Sequence, residues 1–174
     1  MRPPALPDAL PEGVFSLADH EHHAREKISE AVWAYFNGGA ADEITLHANA
    51  RAWQGLELLP RVMRPLAGGH TRIELLGRTL AHPVLVAPMA YQSLAHPLGE
   101  LATALAAAAL GAGLVLSTQA STRLEHVARA YLPDPGRGPL WFQLYLQPDR
   151  GFTQELVQRA ESAGFEALVL TVDA

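Results

Sequence analysis

Four short apolar runs recur at nearly even intervals in the second half of the chain. They begin at residues 83, 114, 140 and 167, so about 26 to 31 residues separate one start from the next. That interval holds one strand, one helix and two short loops. The pattern therefore predicts a repeating strand–helix unit around a parallel sheet, with strands over residues 83–87, 114–117, 140–145 and 167–172.

The segments between these runs have the composition of helices. We expect helices over residues 99–110, 122–130 and 154–163, with Gly164 ending the last one. The most apolar stretch, residues 101–116, is rich in alanine and is interrupted by Gly111 and Gly113. It is therefore interpreted as a buried helix followed by a strand and not as a membrane span.

The strand ends distinguish between two parallel-sheet folds. Continuously apolar strands are buried on both faces, as in a doubly wound sheet or a (β/α)8 barrel. No glycine-rich phosphate turn follows the first strand, which disfavours a doubly wound nucleotide binder. All four runs end in polar or backbone hydrogen-bonding groups, and barrel active sites lie on that face. These groups are Pro88-Met89-Ala90, Ser117-Thr118-Gln119, Gln143 with Tyr145, and Thr171 with Asp173.

The predicted fold class is α/β, the first half of a (β/α)8 TIM barrel with four parallel strands, preceded by N-terminal helices and a β-hairpin. A complete barrel typically needs about 250 residues, and four strand–helix units make half of one. The 174-residue chain stops directly after the fourth apolar run. We therefore expect that the chain is cut in the middle of its fold.

The sequence before the barrel divides into two parts. Residues 1–15 carry four prolines and are predicted to form an extended arm, and residues 16–82 are predicted to hold the helices and a hairpin beneath the barrel of residues 83–174. Ser16 and Asp19 form a capping-box pattern at a helix start. Helical sequence then runs with an interruption to Phe36, and Asn37-Gly38-Gly39 is expected to end it with a glycine in a left-handed conformation. Residues 71–80 predict a hairpin around Gly77.

Charge and cysteine content limit the classes of function. A net charge of −5 with no cluster of lysine or arginine gives no footprint for nucleic acid or for an anionic membrane, so a small-molecule partner is expected. The chain has no cysteine, which excludes disulfides, thiolate catalysis and thiolate metal ligands. Together with the lack of a secretory signal, this favours a cytoplasmic protein.

Five motifs, taken in order, resemble a known family from about Ser16 to the last residue. The motifs are YFNGGAADEITL (35–46), VAPMA (86–90), AHPLGE (95–100), WFQLY (141–145) and AGFEALVLTVD (163–173). Together they are similar to the FMN-dependent α-hydroxy acid oxidases and dehydrogenases, of the glycolate oxidase, lactate oxidase and mandelate dehydrogenase type. The resemblance implies FMN as the cofactor and oxidation of a small L-2-hydroxy acid to a 2-oxo acid.

The resemblance also implies roles for individual residues. Pro88, Met89 and Ala90 match a stretch whose backbone lies against the edge of the flavin ring. Side chains at three further positions match residues that hydrogen-bond the pyrimidine end of the flavin: Ser117, Gln143 and Thr171.

Substrate and catalytic roles are implied for three more residues. Tyr35 and Tyr145 match the family tyrosines that meet the substrate, the first at its carboxylate and the second near its hydroxyl. Tyr145 is therefore a predicted catalytic residue as well. Asp173 matches the carboxylate that orients the catalytic histidine, although a strand-end aspartate could also simply cap the next turn.

The departures from the family pattern matter as much as the matches. The catalytic histidine, the arginine that holds the substrate carboxylate, the lysine beside the flavin and the phosphate loops would all lie beyond residue 174. The chain alone is therefore predicted to be inactive, whereas the full-length form is expected to be a homo-oligomer. Gln119 stands where glycolate oxidase carries a large aromatic residue, which changes the side chain that would fit the substrate pocket.

Other interpretations of the chain stay open. It could be a non-catalytic half-barrel that self-associates or binds a partner half, or a flavin-dependent isomerase of the same fold, against which Tyr35 and Tyr145 argue. The histidine-rich residues 19–23 suit a solvated helix start better than a metal site, so no metal is expected.

Overall fold

The computed structural model of the chain describes residues 10–173, so most of the predicted arm over residues 1–15 lies outside the described residues. The chain divides into two compact units, a first over Pro11–His70 and a second that begins at Thr71. The hairpin therefore belongs to the same unit as the parallel sheet. The predicted domain boundaries at residues 15 and 82 stay predictions.

The first unit is helical, with α1 (Leu17–Arg25), α2 (Glu30–Asn37) and α3 (Ile44–Gln54). The capping box at the start of α1 is confirmed, because the Ser16 hydroxyl accepts from the Asp19 N–H while the Asp19 carboxylate accepts from the Ser16 N–H. The left-handed glycine expected in Asn37-Gly38-Gly39 is wrong, since Gly38 is extended with a φ of −76° and a ψ of 149°, and Gly39 has no positive φ either. The turn is held instead by Glu43, whose carboxylate accepts from the Gly39 N–H at 2.8 Å.

The predicted hairpin is confirmed and opens the second unit. Strands β1 (Ile73–Leu75) and β2 (Arg78–Leu80) pair antiparallel. Leu76 and Gly77 connect them with φ values of 50° and 75°. Two successive positive φ angles are typical of the type I′ turn, whose twist matches that of the strands it joins.

The four strands of the main sheet are parallel and lie side by side in sequence order, as predicted. They are β3 (Leu85–Val86), β4 (Gly113–Leu116), β5 (Leu140–Leu144) and β6 (Ala167–Leu170). The bounds of the strands were predicted less accurately. Strand β3 spans two residues, whereas five were predicted, over residues 83–87. Pro83 and Pro88 flank it, and proline has no N–H to donate to a neighbouring strand.

Within the described residues, one α-helix follows each of the first three strands of this sheet: α4 (Gly99–Ala109), α5 (Leu124–Tyr131) and α6 (Arg150–Ala163). A short 3-10 helix (Gln92–Leu94) precedes α4. Helix α6 begins four residues before the predicted start, because the Asp149 carboxylate caps it by accepting from the Gly151 N–H at 2.7 Å. Gly164 ends this helix with a φ of 92°, as expected. No helix within residues 10–173 is both long enough and apolar enough to cross a membrane.

The two faces of the sheet carry different side chains. One face packs against the helices and forms the core with residues such as Val127, Tyr131 and Leu156. The strand residues on that face are Leu114, Leu116, Leu140, Phe142 and Leu144. Because side chains alternate along a strand, Val115, Trp141 and Gln143 lie on the opposite face. That face carries the polar groups at the carboxyl ends of the strands.

Ion pairs place the hairpin at the other end of the sheet. Glu166, just before β6, pairs with Arg78 of β2 and with Arg137, which precedes β5, at 2.8 Å in the latter case. The three residues therefore join the hairpin to the amino ends of two strands. The predicted site lies at the opposite, carboxyl end of the sheet, which is formed by the loops that follow the strands.

A second ion pair gives a testable dependence of stability on pH. The hydrogen bond from Arg159 of α6 outweighs burial and lowers the pKa of the Glu125 carboxyl of α5 from 4.5 to about 2. A pKa that is lower in the folded state means that the pair stabilises fully above pH 4.5 and loses this effect as the pH falls toward 2. Both side chains keep 31% of their surface exposed, so the effect is at most about 1 kcal/mol.

We expect Glu125→Gln to flatten the decline in the free energy of unfolding between about pH 4.5 and 2, measured by urea unfolding. Glu161→Gln, the same change at an exposed position of α6, should leave the decline as it is. Identical acid profiles for Glu125→Gln and the unaltered chain would contradict this assignment.

Candidate functional site

A hydrogen-bonded row of uncharged side chains crosses the carboxyl ends of three adjacent strands. The Ser117 hydroxyl donates to Gln143 Oε1 at 3.3 Å, and Gln143 Nε2 donates to Thr171 Oγ1 at 2.7 Å. Ser117 and Gln143 are buried, with 5% and 2% of their surface exposed. The structure thus brings together three of the residues that the sequence predicted; we call them the strand-end row.

The orientation of the Gln143 amide is fixed by its neighbours. Its oxygen also accepts from the Thr118 N–H at 3.1 Å, so the carbonyl points to β4 and the amino group to β6. An amide nitrogen carries two hydrogens, and a hydroxyl that accepts one hydrogen bond can still donate another. Within residues 10–173, the second hydrogen of Gln143 Nε2 and the Thr171 hydroxyl hydrogen have no hydrogen-bond acceptor.

A cavity of about 540 Å³ adjoins this row. Tyr145 and Thr171, two of the predicted site residues, share its wall with Gln119. Its other lining residues are apolar: Leu146, Leu170 and Val172. The cavity therefore combines an apolar wall with a phenol, an amide and a hydroxyl, which suits a small ligand that has both polar and apolar parts.

The predicted flavin-edge residues lie in the loop that follows β3. Pro88 and Met89 are exposed, Met89 with 44% of its surface, and Ala90 is half-buried. The Tyr91 N–H donates to the Gln119 carbonyl at 3.1 Å, which joins this loop to the loop after β4. Met89 is therefore exposed in a loop that is held to the loop after β4, and the contact of its backbone with flavin stays a prediction.

Two predicted residues lie outside the strand-end row and its cavity. Tyr35 belongs to α2 in the first unit, where its ring meets Phe36 edge-on at a centroid distance of 5.2 Å. Asp173 is exposed just after β6. Their roles toward a substrate and toward a histidine stay predictions.

Sequence reasoning missed the role of Thr118. Its hydroxyl donates to the Gln143 carbonyl and accepts from the Tyr145 N–H at 3.2 Å, so one side chain joins the end of β4 to the end of β5. The available signal was its place directly after Ser117 at a strand end. Thr118 therefore holds the backbone on both sides of Leu144 and fixes the position at which the chain leaves β5 at Tyr145.

We expect Thr118→Val to lower the free energy of unfolding by about 1–3 kcal/mol, because the Tyr145 N–H and the Gln143 carbonyl both lose a partner. Urea unfolding measures the change. Thr79→Val, the same substitution on the exposed hairpin, is the control and should change stability by less than about 0.5 kcal/mol. Equal effects of the two substitutions would show that the Thr118 bridge contributes nothing particular.

A parallel sheet with polar groups at the carboxyl ends of its strands is shared by doubly wound and barrel-type α/β enzymes. The chain belongs to the FMN-dependent dehydrogenase family, whose model matches residues 24–174. This match confirms the family that the five motifs indicated.

Named relatives agree with this assignment. The chain is 47% identical to an L-lactate oxidase of Alicycliphilus denitrificans over 96% of this chain and 44% of the relative. It is 40% identical to human 2-hydroxyacid oxidase 2 over 90% of this chain and 44% of the relative. A crystal structure of mandelate oxidase matches with a TM-score of 0.81 and 42% identity, over 91% of this chain and 45% of the other. The chain thus spans less than half the length of these relatives.

The matched structures confirm the fold class as the first part of a (β/α)8 barrel. A mandelate oxidase variant solved with an FMN adduct matches with a TM-score of 0.80 at 40% identity. The matched family and these relatives are oxidoreductases. They therefore favour an oxidoreductase over the flavin-dependent isomerase considered from the sequence.

Proposed function

We propose that this chain provides one part of the FMN site of an oxidoreductase that oxidises L-2-hydroxy acids of the lactate, glycolate and mandelate class to 2-oxo acids. The observation that carries the proposal is the strand-end row of Ser117, Gln143 and Thr171. Membership of the FMN-dependent dehydrogenase family supports the cofactor, and the named relatives support the substrate class.

The chemistry of the strand-end row fits the pyrimidine edge of a flavin. This edge presents two carbonyl acceptors and one imide N–H donor, so a complementary site needs donors and acceptors without charge. The free hydrogen of Gln143 Nε2 and the Thr171 hydroxyl meet that need. When bound, FMN supplies the acceptor for the electrons that leave the α-carbon of the substrate.

The cavity beside the row suits the substrate. We propose that the Tyr145 phenol donates toward the substrate hydroxyl. The role of Tyr35 at the substrate carboxylate is a proposal that rests on the family resemblance alone. Thr118 holds the Tyr145 backbone, which limits where this phenol can lie. Asp173 is proposed to orient a histidine that this chain does not itself contribute.

A specific observation supports association with a further polypeptide segment. Leu168 and Leu170 of β6 lie on the same sheet face as the core residues Phe142 and Leu144, yet 44% and 50% of their surfaces are exposed. Apolar side chains at the last strand of a sheet favour pairing with a further strand and its helix. Homo-oligomerisation of the full-length form and a cytoplasmic location stay proposals from the sequence.

The test compares two proteins: the 174-residue chain, and a fused protein in which the chain is followed by the segment that comes after the matched region of the L-lactate oxidase relative. With L-lactate, glycolate or mandelate under anaerobic conditions, we expect the fused protein to bleach bound FMN faster than free FMN is bleached. The chain alone with added FMN should not exceed the free-flavin rate, because a phenol is a poor proton acceptor at neutral pH.

Two results would contradict the proposal. A folded fused protein that does not reduce FMN with any of the three acids would show that this chain does not complete the site. Acceleration by the chain alone would show that a base lies within its 174 residues.

A further inference from the structure

One buried carboxylate lies where the loops after β3 and β4 meet. Glu100 is the second residue of α4, and only 1% of its surface is exposed. Among residues 10–173 it is the only charged side chain in the core. The proposed chemistry does not use it, so its burial calls for another explanation.

Three backbone N–H groups donate to this carboxylate. Oε1 accepts from Ser121 at 2.8 Å and from Gln92 at 3.2 Å, and Oε2 accepts from Thr122 at 3.1 Å. Burial acts to raise the pKa of Glu100, but these hydrogen bonds, led by that of Ser121, outweigh it and hold the pKa below its ordinary value. The carboxylate is therefore ionised and paired with backbone at neutral pH.

The partners of Glu100 lie in two different loops. Gln92 follows β3, whereas Ser121 and Thr122 follow β4. In many helices, a carboxylate in the first turn has no role other than to stabilise that helix. These two β4-loop partners are 21 and 22 residues away in sequence, so the carboxylate also joins separate elements.

Both loops carry predicted site residues close to these contacts. The loop after β3 holds Met89, and the loop after β4 begins at Ser117 and holds Gln119, which lines the cavity. A second link, from the Ser93 N–H to Ser121 Oγ at 3.3 Å, joins the same two loops. A change at Glu100 should therefore reach the flavin edge through the backbone of both loops.

We propose that Glu100 is a positioning residue whose carboxylate locks the loops after β3 and β4 together and so sets Met89 and Ser117 against the flavin. The statement about the flavin rests on the proposed function. The claim that Glu100 holds the two loops together rests on the hydrogen bonds alone.

The test is Glu100→Gln, which keeps the shape of the side chain but replaces one acceptor oxygen by a donor. Hydrogen exchange followed by mass spectrometry should show the amides of Gln92, Ser121 and Thr122 exchanging at least about tenfold faster, because a charge-assisted hydrogen bond is lost. Exchange in β5 should stay unchanged, whereas a general loss of stability would speed it as well. Glu161→Gln is the matched control and should change neither.

The second measurement is FMN affinity of the fused protein, followed by flavin fluorescence. We expect Glu100→Gln to raise the FMN dissociation constant about tenfold and Glu161→Gln to leave it unchanged. Faster loop exchange with unchanged FMN affinity would overturn the positioning role. Unaltered loop exchange would overturn the lock itself. If the unaltered fused protein bound no FMN, the proposed function would fail, and the exchange data would still decide whether Glu100 locks the loops.

Glu100→Asp provides a second variant if Glu100→Gln does not fold. It keeps the charge but shortens the side chain by one methylene, which draws the carboxylate away from the three N–H groups. We expect faster exchange at Gln92, Ser121 and Thr122 and weaker FMN binding, both by less than in Glu100→Gln. Unchanged exchange at these three amides would overturn the lock, and unchanged FMN affinity would overturn the positioning role.

Discussion

Replacing Gly138 with alanine is expected to lower the free energy of unfolding by about 3 kcal/mol or more. Gly138 lies in the loop before β5, against the backbone at the start of β4. A methyl group there would lie 2.5 Å from the Gly113 nitrogen and 2.7 Å from the Ala112 oxygen. These atoms belong to the backbone, so no side-chain rotation relieves the overlap and the two strands have to move apart.

Gly136→Ala in the same loop is the control for this prediction. Its methyl group would meet only the Asp134 carboxylate at 3.4 Å, and the hydrogen bond from the Gly136 N–H to that carboxylate would remain. Urea unfolding should show a change of less than about 0.5 kcal/mol for Gly136→Ala. A loss of similar size in both variants would mean that the close approach of the loop to β4 is not a constraint on the fold.

Gln143→Leu is expected to weaken FMN binding by the fused protein by about tenfold to a hundredfold. The substitution keeps the approximate size of the side chain but removes the amide at the centre of the strand-end row. Ser117 and Thr171 lose their shared partner, and the flavin edge loses a buried donor. The change in affinity is measured by titrating apoprotein with FMN and following flavin fluorescence.

The control for Gln143→Leu is Gln154→Leu on the exposed surface of α6. It makes the same chemical change away from the strand ends and should leave the FMN dissociation constant unchanged. Because Gln143→Leu also leaves the buried Thr118 N–H without its partner, unfolding is measured in parallel. Full FMN affinity in a folded Gln143→Leu protein would exclude the amide from the flavin site.

The parallel sheet and the strand-end row could be predicted because each depends on simple periodicity. Apolar runs at a constant interval determine the parallel order, and the carboxyl ends of parallel strands meet at one edge. For that reason Ser117, Gln143 and Thr171 lie close together, whereas their selection among the strand-end residues came from the family resemblance. Their polar character at three strand ends was visible in the sequence before any contact was known.

The features that were missed depend on contacts between distant segments. No contact of Thr118 or Glu100 could be read from the sequence, although Glu100 ends one of the family motifs, because most of their partners lie 21 to 27 residues away. Helix α3 was not predicted, since the residue before it, Glu43, adopts a left-handed φ of 56° that a propensity argument does not favour. Local patterns therefore gave the frame of the site, while the hydrogen bonds that fix its loops required the structure.

The central claim is that the strand-end row binds the pyrimidine edge of FMN, and a crystal structure of the fused protein with FMN tests it most directly. The account predicts that Gln143 Nε2 lies within hydrogen-bond distance, about 2.7–3.2 Å, of an acceptor on the pyrimidine ring of the flavin. A flavin bound with its pyrimidine ring away from Ser117, Gln143 and Thr171 would contradict it.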